Sequence, residues 1–319
     1  MLFRARRAVV ILLAVLSVPL PAQETEADPG AEGEPAWVTY RQGVHALNAR
    51  DFGEALRSFR DALATRRPFP EAEAGLGRVF EADGNWELAR RQYQRALELS
   101  DHFYVPQEEY VVRYRLADIH RNREMGKEYQ RELEHIVEQN PQFAPDHDPE
   151  YRRLVPNVLT RPPAEDRPPE PRLDILLRLY RLDENFAFRA HRELGEVYLG
   201  SGRDTQAVRQ LSFAAVAALS TLVEELRSET YGYEFSTTRR LIADALELER
   251  LRRYMGPEET DLFRVLFRLS GALLREDPTS EVPAQIWRLL GEFPDAAGEW
   301  AVRAARAIER PETSMNVDY

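Results

Sequence analysis

The sequence predicts an all-α fold, an α-solenoid of stacked helical hairpins in two blocks that a proline-rich spacer joins. Three observations predict it. Residues 43–63 recur 34 positions later, apolar residues recur at three- and four-residue spacing from Trp37 onward, and nine prolines gather in residues 141–172. A fixed period of this length is typical of units that cannot bury their apolar faces alone and therefore stack. The three- and four-residue spacing favours helices over strands.

The first 22 residues are predicted to be a signal peptide. Arg4, Arg6 and Arg7 form a basic start, and an unbroken apolar run and a small-residue exit follow. The alternative is an uncleaved N-terminal membrane anchor, but residues 8–22 fall short of the roughly 20 residues that span a bilayer. Because the chain has no cysteine, a cysteine-linked lipid anchor and disulfides are excluded. The expected location is periplasmic or secreted, with no stable membrane span after cleavage.

Net charge argues against a nucleic-acid partner. The chain carries −11, and removing residues 1–22 takes away three arginines and no acids, which leaves −14. A surface this acidic repels phosphates, because nucleic-acid binding needs a basic face. Residues 23–35 hold five acids, no bases and no large apolar side chain, a composition typical of an acidic disordered tether. Residues 311–319 are expected to form a short C-terminal tail.

The first helical block is predicted over residues 36–141. Asp51 followed by Glu54 suits the start of the second helix, because a short polar side chain there accepts hydrogen bonds from free backbone amides. Asn85 occupies the equivalent place one period later. Ala55 and its counterpart one period later are small because the two helices of a hairpin cross there.

These residues resemble the tetratricopeptide repeat family, whose pattern runs W-x2-L-G-x2-Y, then A-x3-F, then proline. The second unit matches it with Leu-Gly-x2-Phe from Leu76 and Ala-x3-Tyr from Ala89. A third unit, offset by 40 instead of 34, has Leu-Ala-x2-His from Leu116 but carries Tyr129 where a small residue is usual. The resemblance implies three stacked repeats over residues 36–141, with looser or differently angled packing in the third.

The organisation changes after residue 141. Residues 142–172 are predicted to be a proline-rich linker, because proline lacks an amide hydrogen and breaks helices; a proline-rich docking peptide is the alternative. A second helical block is expected over 173–310, with a tetratricopeptide-like repeat near 187–216 that contains Leu-Gly-x2-Tyr from Leu194. The apolar run at residues 212–223 is too short to span a membrane and predicts a fully buried helix.

The rest of the second block keeps helical spacing without the full motif. Helices are expected near residues 238–254 and 258–275. Trp287 begins another Trp-x2-Leu-Gly match, but Pro294 stands where the family has tyrosine. We interpret this last segment as a capping pair of helices that closes the stack.

The resemblance also implies a binding groove. In this family the second helices form a convex wall and the first helices line a concave groove. The residues that the resemblance places in this groove are Tyr40, Val44, Leu47, Arg78, Glu81, Tyr114, Asp118, Arg121, Arg192 and Glu196. Tyrosine and arginine are enriched in interface hot spots. The expected partner is therefore an extended peptide or an amphipathic helix of another protein.

One function found in the family is excluded. Some members hold the carboxylate end of heat-shock chaperones with a clamp of lysine, asparagine and arginine. The positions where this clamp would lie are Tyr40, Val44, Gly75, Val111 and Arg115. Only the last has a suitable side chain, so we expect no chaperone-tail binding of that kind.

The sequence offers no constellation of catalytic residues. It contains no nucleophile elbow, phosphate loop, zinc-binding helix motif or dinucleotide fingerprint, which predicts a non-catalytic protein without cofactor or metal. The nearest metal candidate, residues 146–148 with His135 and Glu150, is typical of a solvated turn. His120 occupies an aromatic core position of the repeat and is expected to be packed.

These observations lead to one hypothesis and one alternative. The first is an exported, non-catalytic scaffold that binds a protein or peptide partner through the concave groove. The alternative is a ligand-binding accessory subunit of an envelope transporter or assembly machine, with a small molecule enclosed between the two helical blocks. The partner's identity and the oligomeric state leave no signal in the sequence.

Overall fold

The structure, a computed structural model, describes residues 34–139, 186–235 and 237–311. These residues form fourteen α-helices and one short 3-10 turn, and no strand occurs among them. Consecutive helices pack as adjacent antiparallel pairs along most of the chain. The predicted all-α fold of stacked helical hairpins is therefore confirmed.

Several predicted segments lie outside the described residues. They are the signal peptide (1–22), most of the acidic tether (23–35), the proline-rich linker (142–172), the start of the second block at residue 173 and nearly all of the C-terminal tail (311–319).

Three hairpins make up the first block. Their helices are α1 (Ala36–Asn48), α2 (Phe52–Thr65), α3 (Pro70–Ala82), α4 (Trp86–Glu98), α5 (Glu108–Asn122) and α6 (Gly126–Glu138). The second helices of the first two hairpins start as the sequence predicts. The Asp51 side chain accepts from the Glu54 amide at 3.0 Å, and the Asn85 side chain accepts from the Leu88 amide at 3.3 Å. Each cap satisfies an amide that has no partner within its own helix.

Small residues let the helices of a hairpin approach closely. Ala55 and Ala89 are fully buried at the crossings of the first two hairpins. A Cβ added to Gly77 would lie 2.5 Å from the Tyr93 ring, so the glycine of the Leu-Gly motif makes room for that ring. A larger residue here would force α3 and α4 apart.

Eight helices follow in the second block. They are α7 (Phe188–Gly200), α8 (Asp204–Glu229), α9 (Thr238–Leu246), α10 (Glu249–Tyr254), α11 (Leu262–Glu276), α12 (Val282–Gly291), α13 (Pro294–Ala297) and α14 (Glu299–Glu309). Helix α8 lies at the centre, packed against both α7 and α11. It is long and apolar enough to cross a membrane, but 89% of its most apolar window is buried inside the protein. The prediction of a buried helix at residues 212–223 is thereby confirmed.

Two predicted boundaries in this block are corrected. Residues 238–254 form two helices, because the backbone turns extended at Leu248 between α9 and α10. The next helix begins at Leu262 rather than near residue 258. Residues 257–260 form turns, and the backbone at Asp261 is left-handed with a φ of 50°.

The two blocks pack directly on each other. Helix α6 of the third hairpin lies against α7 of the fourth. Leu133 and Ile136 of α6 belong to the same buried core as Leu194 and Leu211 of the fourth hairpin. The fourth repeat therefore continues the stack of the first three, and one core runs from the third repeat to α14.

Candidate functional site

The structure brings two of the predicted groove residues, Tyr40 and Arg78, to one cavity. It lies among the first helices α1, α3 and α5 of the three repeats and has a volume of about 200 Å³. We call it the groove cavity. Its lining residues are Tyr40, Glu71, Ala74, Gly75, Arg78, Tyr93, Glu108, Val111, Val112 and Arg115.

Small residues of α3 create this space. A Cβ added to Gly75 would lie 2.6 Å from the Phe59 ring, so that ring fills the core directly beneath the glycine. Ala74 occupies in the second repeat the position that Tyr40 occupies in the first. The short side chains leave the middle of the groove open between the larger residues of α1 and α5.

One side of the cavity is closed by a hydrogen-bonded network. Glu81 accepts a hydrogen bond from the Tyr93 hydroxyl and an ion pair from Arg115 at 3.2 Å. Burial, helped by the bond to Glu81, raises the pKa of Tyr93 far above its usual range, so the phenol stays neutral. The predicted groove residue Glu81 is therefore a fixed part of the wall.

Two further carboxylates line the cavity. Glu71 is 6% exposed, and its Oε1 accepts from the backbone amide of Tyr104 at 2.5 Å. Its Oε2 has no hydrogen-bond partner among the described residues. Glu108 stands in the first turn of α5, and burial together with the Glu71 charge raises its pKa.

Two exposed side chains belong to Val111, which lines the cavity, and to Tyr104, whose amide contacts Glu71. Val111 on α5 is 54% exposed, and Tyr104 in the connection between α4 and α5 is 86% exposed. The Tyr104 backbone is held in place by Glu71. The connection that lengthens the third repeat thus places the backbone of an exposed tyrosine against a residue that lines the groove cavity.

Predicted groove residues of the third repeat lie instead at the junction with the fourth. The Tyr114 hydroxyl donates to the Phe186 carbonyl at 2.6 Å and accepts from the Ala190 amide at 3.1 Å. Asp118 forms an ion pair with Arg189. Arg121 is bonded to the same aspartate at 2.9 Å and lies 3.5 Å from Glu193 on α7. These three predicted residues help to hold the two blocks together.

The fourth repeat also bonds its predicted groove residues within the chain. Arg192 donates to the Glu259 carbonyl at 3.1 Å, in the turn that precedes α11. Glu196 accepts from Arg264 at 3.0 Å and lies 3.2 Å from Arg268, both on α11. These bonds join α7 of the fourth repeat to α11 and to the turn before it.

The last two predicted residues belong to the first repeat. Leu47 is 8% exposed and lies in the buried core of that hairpin, and Val44 packs partly buried against the same core. The structure therefore places Tyr40 and Arg78 at the open cavity, Glu81 in its wall and the other predicted residues in contacts within the chain.

Sequence reasoning missed the residues that give the cavity its charge. Glu108 stands in the first turn of α5 and also lines the cavity. Glu71 follows Trp37 by one period and precedes Val111 by the stretched period of 40. A comparison of this position across the three repeats would have identified Glu71, because the other two repeats have a large apolar residue where the second has an acid.

The described residues contain no group of three or more histidine, cysteine or acidic side chains that could hold a metal ion. His135 lies 3.4 Å from Glu109, while residues 146–150 of the proposed metal candidate lie outside the described ranges. His120 is 3% exposed, as expected for a packed residue. At the junction of the two blocks, Tyr114 and Asp118 bond to residues of the fourth repeat.

Comparisons with known proteins agree with the hairpin pattern. A family model of the tetratricopeptide repeat matches residues 40–102. The chain is 26% identical over 167 residues to an uncharacterised protein of Treponema pallidum (strain Nichols), which is 52% of this chain and 43% of that protein. It is 36% identical over 66 residues to the photosystem I assembly protein Ycf3 of Prochlorococcus marinus strains MIT 9303 and MIT 9313, which is 20% of this chain and 38% of each relative. The chain thus spans less than half the length of the curated relatives it matches.

The matched residues hold the features on which the first two hairpins close. They include the caps at Asp51 and Asn85, the small crossing residues Ala55 and Ala89, and the glycine that makes room for a core ring. Residues 40–102 therefore match the tetratricopeptide repeat family, and the hairpins of the first two repeats have the features of that pattern.

Proposed function

We propose that this protein is an exported, non-catalytic scaffold that binds an extended peptide segment of a partner protein at the groove cavity. The observation that carries the proposal is the cavity itself, which three consecutive first helices line. Tetratricopeptide repeats generally act as protein-interaction scaffolds. An open cavity along a row of parallel helices suits an extended chain, whose successive side chains can enter it or lie on its edge.

The mouth of the cavity supports a protein partner. Val111 and Tyr104 expose apolar surface next to buried polar groups. Neighbouring exposed apolar side chains of this kind mark interaction sites in soluble proteins. The name of the Ycf3 relatives describes assembly of a protein complex, which supports a scaffold role for this chain as well.

Export is the second part of the proposal and is supported by the basic and apolar pattern of residues 1–22. A fusion of residues 1–35 to alkaline phosphatase tests it, because that enzyme gains activity only outside the bacterial cytoplasm. We expect activity from this fusion and none from a fusion that begins at residue 23. Equal activity of the two fusions would contradict export.

Peptide binding is tested by selecting a displayed library of random linear peptides against residues 23–319. We expect enriched peptides whose affinity falls at least about tenfold in Val111→Asp, because a charge replaces an apolar contact. Val302→Asp is a matched control. Val302 is 53% exposed, against 54% for Val111, and both are the fourth residue of their helix.

The control should bind as the unchanged protein does. If no peptide is enriched, or if both variants lose binding equally, the groove cavity is not a peptide site. Thermal unfolding of both variants, followed by circular dichroism, shows whether either substitution disturbs folding.

A further inference from the structure

The groove cavity contains a buried acceptor that nothing in the described residues satisfies. Glu71 is 94% buried, and one of its oxygens is already fixed by the Tyr104 amide. The other oxygen has no partner among those residues, although Glu71 lines the cavity. A buried acceptor without a donor is costly, so a donor that enters the cavity gains an interaction already prepared for it.

The charges around the cavity do not balance. Five ionised side chains line it or form its wall, and two of them, Arg115 and Glu81, are paired with each other at 3.2 Å. Arg78 then remains to offset both Glu71 and Glu108. The remaining balance is one positive charge against two negative ones.

The pKa values of two groups at the cavity are consistent with this excess of negative charge. Burial raises the pKa of Tyr40 to about 12, and the charge of Glu108 raises it more than Arg78 lowers it. The pKa of Glu108 is raised first by burial and then by Glu71, again more than Arg78 lowers it. The potential at this side of the cavity is therefore negative, which favours an entering cation and disfavours an entering carboxylate.

We propose that the groove cavity receives an arginine or lysine side chain of the peptide partner, which donates to Glu71 and Glu108. An apolar side chain next to this basic residue lies on Val111 and Tyr104 at the mouth. The inference rests on the proposed function and adds the chemistry of the occupant. Charge-assisted hydrogen bonds to carboxylates are the strong ones, and they give geometric specificity when the donor is arginine.

The groove cavity is acidic where the chaperone-tail clamp of some family members is basic. Four of the clamp positions, Tyr40, Gly75, Val111 and Arg115, line this cavity. Three of them are uncharged, and the fourth is neutralised by Glu81. Acids at neighbouring positions then determine the polarity, so the same place in the groove is suited to a cation instead of a terminal carboxylate.

The connection between α4 and α5 takes part in this arrangement. It is the segment that stretches the repeat period from 34 to 40 residues. Its Tyr104 amide holds Glu71 by one oxygen and leaves the other unpaired. The inserted residues thus orient the carboxylate and also supply the exposed ring beside it.

The peptide selection described above also tests this inference. We expect the enriched peptides to share an arginine or lysine next to an apolar residue. Replacing that basic residue by norleucine should weaken binding to the unchanged protein about tenfold. The same replacement should have little effect on Glu71→Gln/Glu108→Gln, because the acceptor charges are gone.

Glutamine keeps an oxygen that can accept from the Tyr104 amide, so the double variant removes charge with little change of shape. The matched control is Glu87→Gln/Glu249→Gln, which removes two acids from the first turns of α4 and α10 outside the cavity. In this control the tenfold loss should remain. If the double variant fails to fold, Glu108→Gln alone replaces it, since that side chain is only partly buried.

The possible failures are distinguishable. No enriched peptide at all means that the proposed function is wrong. Enriched peptides that lack a basic residue, or that carry an acidic one in its place, overturn the cationic occupant and leave peptide binding intact. The same conclusion follows if the norleucine replacement weakens binding to the double variant as much as it weakens binding to the unchanged protein. If the norleucine replacement has little effect on the control as well as on the double variant, overall charge, and not the groove cavity, selects the peptide.

Discussion

The same position of the first helix lines an open cavity in the first repeat and makes contacts within the chain in the fourth. In the first repeat this position is Tyr40, which lines the open groove cavity. In the third and fourth repeats it is Tyr114 and Arg192, which donate to backbone carbonyls of the second block. One turn further along, Arg78 lines the cavity, whereas Glu196 is paired with two arginines of α11.

This difference shows what a repeat position determines. The repeat fixes which face of the helix a side chain occupies, and the next element decides whether that face stays open. Ala74 and Gly75 leave space in the middle of the first block. At the third repeat, the chain entering α7 covers Tyr114. The first two repeats therefore leave this face open, whereas the third and fourth repeats use it for contacts within the chain.

The largest expected effects come from truncating the two cores separately. Phe59 and Leu211 hold the same position of the second helix in repeats one and four, and both are fully buried. Phe59→Ala should lower the free energy of unfolding by about 3–5 kcal/mol and Leu211→Ala by about 2–5 kcal/mol. Phe59 belongs to a core confined to α1–α3, whereas Leu211 belongs to the core that runs to α14.

Hydrogen exchange distinguishes the two variants. We expect Phe59→Ala to reduce amide protection in α1–α3 and to leave α8 and α11 unchanged, because neighbouring repeats contribute separate stabilities. Leu211→Ala should reduce protection from α6 to α11. The division into two regions would be wrong if both variants reduced protection evenly along the chain.

Acid should weaken the second block through a buried histidine. His191 is completely buried against Gln210, and burial lowers its pKa to about 4. Between this value and the ordinary pKa of about 6.5, the unfolded chain binds more protons than the folded one, so stability falls as the pH falls. The loss amounts to a few kcal/mol, because each pKa unit corresponds to about 1.4 kcal/mol.

Urea unfolding at a series of pH values measures this loss. His191→Gln should flatten the dependence between pH 6.5 and 4, while His45→Gln, which changes an exposed histidine of α1, should not. The groove cavity should respond in the opposite direction, because a carboxyl with a raised pKa such as Glu108 binds its proton more tightly in the folded state. Equal slopes for the two histidine variants would show that His191 does not control the acid response.

Local sequence was enough to predict the hairpins of the first block. The caps at Asp51 and Asn85 each join residues three positions apart, and the crossing alanine recurs at a fixed period. Such short-range interactions depend only on residues that are close in sequence, so they can be predicted without knowing the rest of the fold. The charge of the groove cavity needed one further step, a comparison of Glu71 with Trp37 across repeats.

Contacts between distant segments could not be predicted in the same way. Tyr114 donates to the Phe186 carbonyl, and the partner of Arg192 is also a backbone carbonyl. Every residue has a backbone carbonyl, so the sequence does not indicate which one the side chain will bond. The break at Leu248 has no glycine or proline beside it, which explains why the boundary between α9 and α10 was missed.

The smallest expected effects compare the two tyrosines directly. Tyr114→Phe removes a hydroxyl that pairs with one carbonyl and one amide of the neighbouring repeat. Leaving these backbone groups buried without a partner should lower the free energy of unfolding by about 1–3 kcal/mol. The ring remains, and so does the Arg189 guanidinium over it at 4.9 Å, so the change isolates the hydroxyl.

Tyr40→Phe is the matched control, because the same atom is removed at the same position of the first repeat. Tyr40 lines the groove cavity. We expect a change below about 0.5 kcal/mol. Urea unfolding of both variants gives the two numbers. Equal effects would mean that the third and fourth repeats do not close over Tyr114 in solution. In that case the surface assigned to the junction would be as open as the groove cavity, and the contrast between the two regions would disappear.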